Sequence, residues 1–207
     1  EDERYILEAD YDSEFRFVGR PIPSLYSTDE NQRVIYLNTF SKTIAPSIRI
    51  SYMILPPRLL ERYRKKLGFY ACTVSGFEQY TLAKFLEQGH FERHLGRMRN
   101  RYRQKRDQVM AEFLQGAMAG RVKITGQDAG LHFLAELQTV LPDAVLQKKA
   151  AEQGLRLAML SDYYHEGGDA RGHTLVVNYS GLDMQRLPQA LRRLADILKE
   201  ETPCTTN

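Results

Sequence analysis

The chain has 207 residues, 43% hydrophobic and 27% charged, and its 29 Lys and Arg against 26 Asp and Glu leave a net charge of +3. Such a composition is ordinary for a globular protein and excludes disorder, collagen and a coiled-coil rod. The mild charge excludes nucleic-acid binding by the whole surface. Two cysteines, Cys72 and Cys204, lack a Cys-x-x-Cys spacing. They argue against a disulfide framework and a structural zinc site, and they fit a reducing compartment. No apolar run approaches the roughly 18 residues of a membrane span, and no apolar signal segment follows the charged residues 1–4. A cytoplasmic protein with no membrane partner is expected. Residue 1 is Glu rather than Met and strand-like sequence begins almost at once, which reads as a fragment of a longer chain with its upstream part removed.

In chain order, residues 5–11 read as a short strand and 19–23, with one Gly and two Pro, as a loop. Residues 34–37 are a continuous apolar run of the kind found in buried parallel sheets. A third strand is expected over 48–55, stopped by Pro56-Pro57. From Pro57 the period becomes helical, through Leu59, Leu60 and Tyr63. A second helix is expected over 75–86 and, after a break near Gly89, a long one over 91–114. Phe91, Leu95, Met98, Tyr102, Val109 and Phe113 of the long helix share one face. Strands are expected at 122–124 and 131–137, a helix at 143–153 stopped by Gly154, strands at 155–157 and 174–179, and a final helix at 184–200. Residues 163–168 read as a mobile loop and 202–207 as a polar tail. The half from about Met98 onward holds strands and helices enough to close its own core.

One stretch stands out chemically, residues 36–52. A buried strand delivers Thr39, Ser41 and Lys42 into a turn, with Pro46 and Arg49 following. A partly desolvated lysine amine can condense with an aldehyde as a Schiff base. Hydroxyls and an arginine beside it suit the phosphate of pyridoxal phosphate (PLP). Spacing alone leaves open a solvated loop lysine at 42 and a surface arginine at 49.

At these residues the chain resembles the aminotransferase-like domain of the MocR/GabR-type bacterial transcription regulators of the GntR superfamily, which are fold-type I PLP proteins. Glu8-Ala9-Asp10-Tyr11-Asp12-Ser13-Glu14-Phe15 is similar to a signature of that group, and Thr39-Phe40-Ser41-Lys42 with Pro46 and Arg49 to its lysine motif. Residues 79–106 are similar to its long-helix signature, and Ala129-Gly130-Leu131-His132-Phe133 to a small-domain strand. The resemblance covers nearly the whole chain. It implies an α/β fold: residues 1–97 as the C-terminal portion of a mostly parallel large domain, 98–202 as the long helix plus an α+β small domain, and 203–207 as a tail. It implies Lys42 as the residue forming the internal aldimine, Tyr11 on the cofactor's phenolic oxygen, and Thr39, Arg49 and Ser41 on its phosphate. The ligand it implies is an amino compound forming an aldimine with PLP. It further implies a homodimer, and DNA bound only through an upstream winged-helix domain outside this chain.

Two departures bear on catalysis. The signature's acid two residues before the tyrosine is here Ala9. Alternation along a strand turns Asp10 the other way, so it does not simply replace that acid, which in related enzymes keeps the pyridine nitrogen protonated. Some relatives grip the substrate carboxylate with an arginine where this chain has Gly181. Little or no transaminase activity is therefore expected, and the 207 residues by themselves are expected to bind PLP weakly or not at all. The alternatives are a fragment of a class I/II aminotransferase and a basic nucleic-acid-binding module built on residues 93–106, which hold seven Lys and Arg and no acid. The five histidines form no recognisable metal spacing.

Overall fold

A computed structural model describes residues 4–20, 22–165 and 172–199. Part of the loop expected over 163–168, the tail 203–207 and Cys204 lie outside these residues. The chain divides into two units, 1–100 and 101–207.

The first unit is built on a three-stranded sheet in the order β1 (Ile6–Ala9), β2 (Val34–Thr39), β3 (Ser51–Ile54). β1 runs parallel to β2, with Ile6 opposite Val34 and Ala9 opposite Leu37. β3 runs antiparallel to β2, with Thr39 opposite Ser51. The strand expected from residue 48 begins only at Ser51. Residues 48–50 instead form the return arm of the turn at Pro46-Ser47, where Ile48 N bonds Ala45 O at 3.1 Å. Three helices follow: α1 (Pro57–Leu67), α2 (Gly76–Glu87) and α3 (His90–Gln115). Pro57 suits the first turn of α1, where its missing N–H costs nothing. The Ser75 side chain caps α2 by accepting from Glu78 N at 3.2 Å. Gly89, at φ +66°, separates α2 from α3, the break expected from its lack of a Cβ.

The second unit holds an antiparallel sheet of β4 (Val122–Thr125), β5 (His132–Leu137) and β6 (Thr174–Asn178), together with α4 (Asp143–Glu152) and α5 (Leu187–Lys199). β5 shows the period-two pattern of a half-covered strand: Phe133, Ala135 and Leu137 are buried while His132 and Glu136 are exposed. No strand forms over 155–157. That segment joins β6 only through Ala158 O, which accepts from Val176 N at 2.9 Å, and through a single bridge from Met159 to Leu175. Phe133 sits at the centre of the core, edge-on to Phe113 at 5.8 Å and stacked on Tyr179 at 6.1 Å. The Tyr179 hydroxyl donates to Gly130 O, so this buried ring leaves no polar atom unsatisfied.

Phe133 is 0% exposed. Phe133→Ala is expected to cost about 3–5 kcal/mol by opening a cavity between two rings, read as a lower denaturant midpoint in circular dichroism.

Candidate functional site

Parallel pairing makes β1 and β2 end at the same edge of their sheet, the edge where open α/β sheets bind ligands. Asp10 N bonds Leu37 O at 2.9 Å, one step beyond the β1 ladder. The chain then turns through Asp12 at φ +59°, and Phe15, wholly buried, anchors the far side of the turn. Tyr11 thus leaves the sheet at this edge, 52% exposed.

β2 delivers the lysine turn to the same edge. Ile44 N bonds Phe40 O at 2.9 Å, closing one helical turn around Lys42, and Thr43 is buried beneath it. The Phe40 ring fixes the turn by packing on Tyr52 at 5.4 Å and edge-on to Phe91 at 5.9 Å. Two hydroxyls meet here: Thr39 Oγ1 lies 3.1 Å from Ser41 Oγ. Each also donates to the return arm, Thr39 to Ile50 O at 3.1 Å and Ser41 to Ile48 O at 3.2 Å. Arg49 lies between those two carbonyls in sequence, and its one bond is a long contact from Nη1 to Pro46 O at 3.5 Å. The half-buried Lys42 amine bonds no described residue.

The structure therefore brings Thr39, Ser41, Lys42 and the arm carrying Arg49 together. Tyr11 shares their edge and makes no hydrogen bond with any of them. A nearly uncommitted guanidinium and an uncommitted amine are donors suited to a phosphate dianion, and the two hydroxyls beside them would have to turn from the Ile48 and Ile50 carbonyls to join them. The amine can act as a nucleophile once deprotonated.

Beside this turn lies a polar network that the sequence did not announce. Tyr36 donates its hydroxyl to Asp10 Oδ2 at 2.6 Å. Asn38 Nδ2 donates to Tyr36 Oη at 3.1 Å and to Glu14 Oε1 at 3.3 Å. The one available signal was an Asn closing an otherwise apolar run over residues 34–38. Burial, and then the bond to the Asp10 carboxylate, push the Tyr36 phenol well above its usual range. Burial likewise raises the Tyr52 phenol. Asp10 is committed to Tyr36, while Ala9 presents no polar group at all.

The basic face of α3 is partly committed as well. Arg99 Nε donates to Glu14 O at 2.6 Å, Lys105 Nζ to Ser180 O at 3.0 Å, and Arg106 Nη1 to Gln127 O at 2.9 Å. These three cations hold backbone carbonyls. Gly181 lies in a 3-10 turn (Tyr179–Gly181), where an added Cβ would meet nothing within 4 Å.

No family model matches the chain. Its fold is that of the aminotransferases: it superimposes with a TM-score of 0.78 on a kynurenine aminotransferase of Pyrococcus horikoshii crystallised with PMP, at 27% identity, covering 97% of this chain and 49% of that one. Within that class the chain is homologous to the MocR-type transcription regulators, as residues 8–15, 39–49, 79–106 and 129–133 implied. It is 36% identical over 194 residues to the HTH-type transcriptional regulator YdeL of Bacillus subtilis, covering 94% of this chain and 41% of the relative. It is 34% identical over 190 residues to MocR of Rhizobium meliloti, a probable rhizopine catabolism regulatory protein, covering 92% and 38%. The chain thus spans about two fifths of the length of these curated relatives. Among the described residues no helix is long and apolar enough to cross a membrane.

Glu14 supplies a pH test of the network. Burial is the largest cause raising its carboxyl, with Asp10 and Asp12 adding repulsion and bonds from its own backbone and Asn38 opposing. A carboxyl raised on folding stabilises fully below its unfolded value and loses that contribution as pH rises through the folded one. Glu14→Gln should therefore match the wild type below pH 4.5, the ordinary glutamate value, and become the more stable protein towards neutrality. Urea midpoints across that range measure it, and a gap independent of pH would contradict it.

Proposed function

We propose that this chain is the effector-sensing, aminotransferase-like part of a bacterial transcription regulator, with PLP held at Lys42 and an amino compound as the ligand it reads. The lysine turn carries the reading: an uncommitted amine beside paired hydroxyls and a nearly free guanidinium, at the shared edge of β1 and β2. In this reading Thr39, Ser41 and Arg49 hold the phosphate, Lys42 supplies the amine, and Tyr11 faces the cofactor's phenolic oxygen. When bound, the cofactor supplies an aldehyde and an electron-poor ring.

The chain's own residues favour binding over turnover. With alanine at position 9 and Asp10 engaged by Tyr36, the position where the group's signature has its acid offers no carboxylate to the pyridine nitrogen. Cytoplasmic location, a homodimer and DNA contact through an upstream winged-helix domain belong to the same proposal. The likeness to a solved aminotransferase supports a second reading, a class I/II aminotransferase, against which Ala9 weighs.

In the full-length protein, Lys42→Ala should abolish the visible absorbance of lysine-bound PLP and leave nothing trapped by borohydride. Label retained on another lysine would overturn the assignment. Ala9→Asp separates the two readings. Restoring the acid should raise any half-transamination rate by about tenfold or more, in line with a charge-stabilising group, while PLP affinity changes less. Stopped-flow absorbance measures it, and an unchanged rate in a folded variant would place the pyridine nitrogen elsewhere.

A further inference from the structure

The structure assigns Asn38 the role of a positioning residue that sets Thr39 and Ser41 for the cofactor phosphate, an inference that rests on the PLP reading above. Asn38 is 7% exposed, and a buried amide is retained where its hydrogen bonds are satisfied. Its Oδ1 accepts from Thr39 N at 2.6 Å. A backbone N–H can only donate, so that partner fixes which end of the amide is oxygen and turns Nδ2 towards Tyr36 and Glu14.

Thr39 N needs this acceptor because of where β1 stops. Bonded and non-bonded pairs alternate along an antiparallel ladder. Phe40 N bonds Ile50 O at 3.0 Å, which makes Thr39–Ser51 a non-bonded pair and points the Thr39 N–H away from β3, to the side of β1. The β1 ladder ends at Ala9 opposite Leu37, with one further bond from Asp10 N. The Thr39 N–H lies just past that end, and Asn38 Oδ1 completes it.

Thr39 Oγ1 is in turn the hub of the lysine turn. It accepts from Ser41 N at 3.3 Å and meets Ser41 Oγ at 3.1 Å. A Thr39 backbone left free to rotate would carry both hydroxyls with it. Asn38 therefore joins the Asp10–Tyr36 pair on one side to the paired hydroxyls on the other.

The test compares PLP with pyridoxal, which lacks the phosphate, in the full-length protein. Asn38→Ala should weaken PLP binding by about tenfold, the scale of one lost hydrogen bond to a charged ligand's holder, and leave pyridoxal binding nearly unchanged. Asn38→Asp keeps the acceptor for Thr39 N and should keep the wild-type ratio of the two affinities. A general loss of structure would weaken both ligands together, and that result overturns the inference. So does an unchanged ratio in Asn38→Ala, or a ratio lost equally in Asn38→Asp. Hydrogen exchange of the wild-type Thr39 amide needs no variant: slow exchange is expected, and fast exchange overturns the bond. A wild type that binds neither compound refutes the PLP reading itself, and one that binds both equally refutes the phosphate roles.

Discussion

Parallel pairing of β1 with β2 is the constraint on which the candidate site depends. Two strands in the same direction must end at the same edge, so Tyr11 and the turn carrying Lys42 emerge together although 31 positions separate them in sequence. Beyond that edge the ladder can no longer satisfy the backbone, and side chains take over. Asn38 accepts from Thr39 N, Thr39 and Ser41 donate to the return arm, and Asp10 takes the Tyr36 hydroxyl. The cluster of polar groups at the lysine turn is thus what completes the end of a sheet.

The two units solve the burial problem differently. In the second, an antiparallel sheet and two helices close over Phe133, Leu146, Tyr179 and Ile197, all without exposed surface. In the first, the buried apolar side chains among the described residues are Phe15, Val34, Pro56 and Leu95, while Leu7, Met53, Phe69, Tyr70 and Phe77 stand exposed. A sheet needs a covering layer on its apolar face, and the stability of the first unit leans correspondingly on turn and hydrogen-bond geometry. Phe40 packed on Tyr52 and Phe91 is the main apolar brace of the lysine turn.

Charge placement in the first unit sets donors at the lysine turn and acids at the turn after β1. Three acids, Asp10, Asp12 and Glu14, crowd one turn, and burial with mutual repulsion raises the Glu14 carboxyl. Each acid with a described bond there serves the fold: Asp10 holds Tyr36, and Glu14 meets Asn38. Lys42 is left as the uncommitted amine, and Arg49 is free but for one long contact. A turn whose Lys42 amine has no described partner and whose Arg49 makes one long contact is disposed to take an anion.

Much of this was legible in the sequence. The switch from apolar runs to helical periodicity at Pro57, the break at Gly89, and the alternation over 131–137 are local signals set by backbone sterics and side-chain period, and the elements formed where those signals lay. The motif over residues 39–49 was legible for the same reason, since one turn is a local structure. Other features were decided only by the tertiary fold. Residues 155–157 carry a strand-like pattern yet form none, since pairing with β6 stops at the bonds of Ala158 and Met159. Residues 93–106 left a nucleic-acid-binding stripe open as an alternative in sequence, and only the fold shows Arg99, Lys105 and Arg106 meeting backbone carbonyls distant in sequence. Asn38 read as one polar residue ending an apolar run. Its place between Tyr36, Glu14 and Thr39 follows from where β1 stops, and the end of a ladder is a property of two strands, which neither strand's sequence contains.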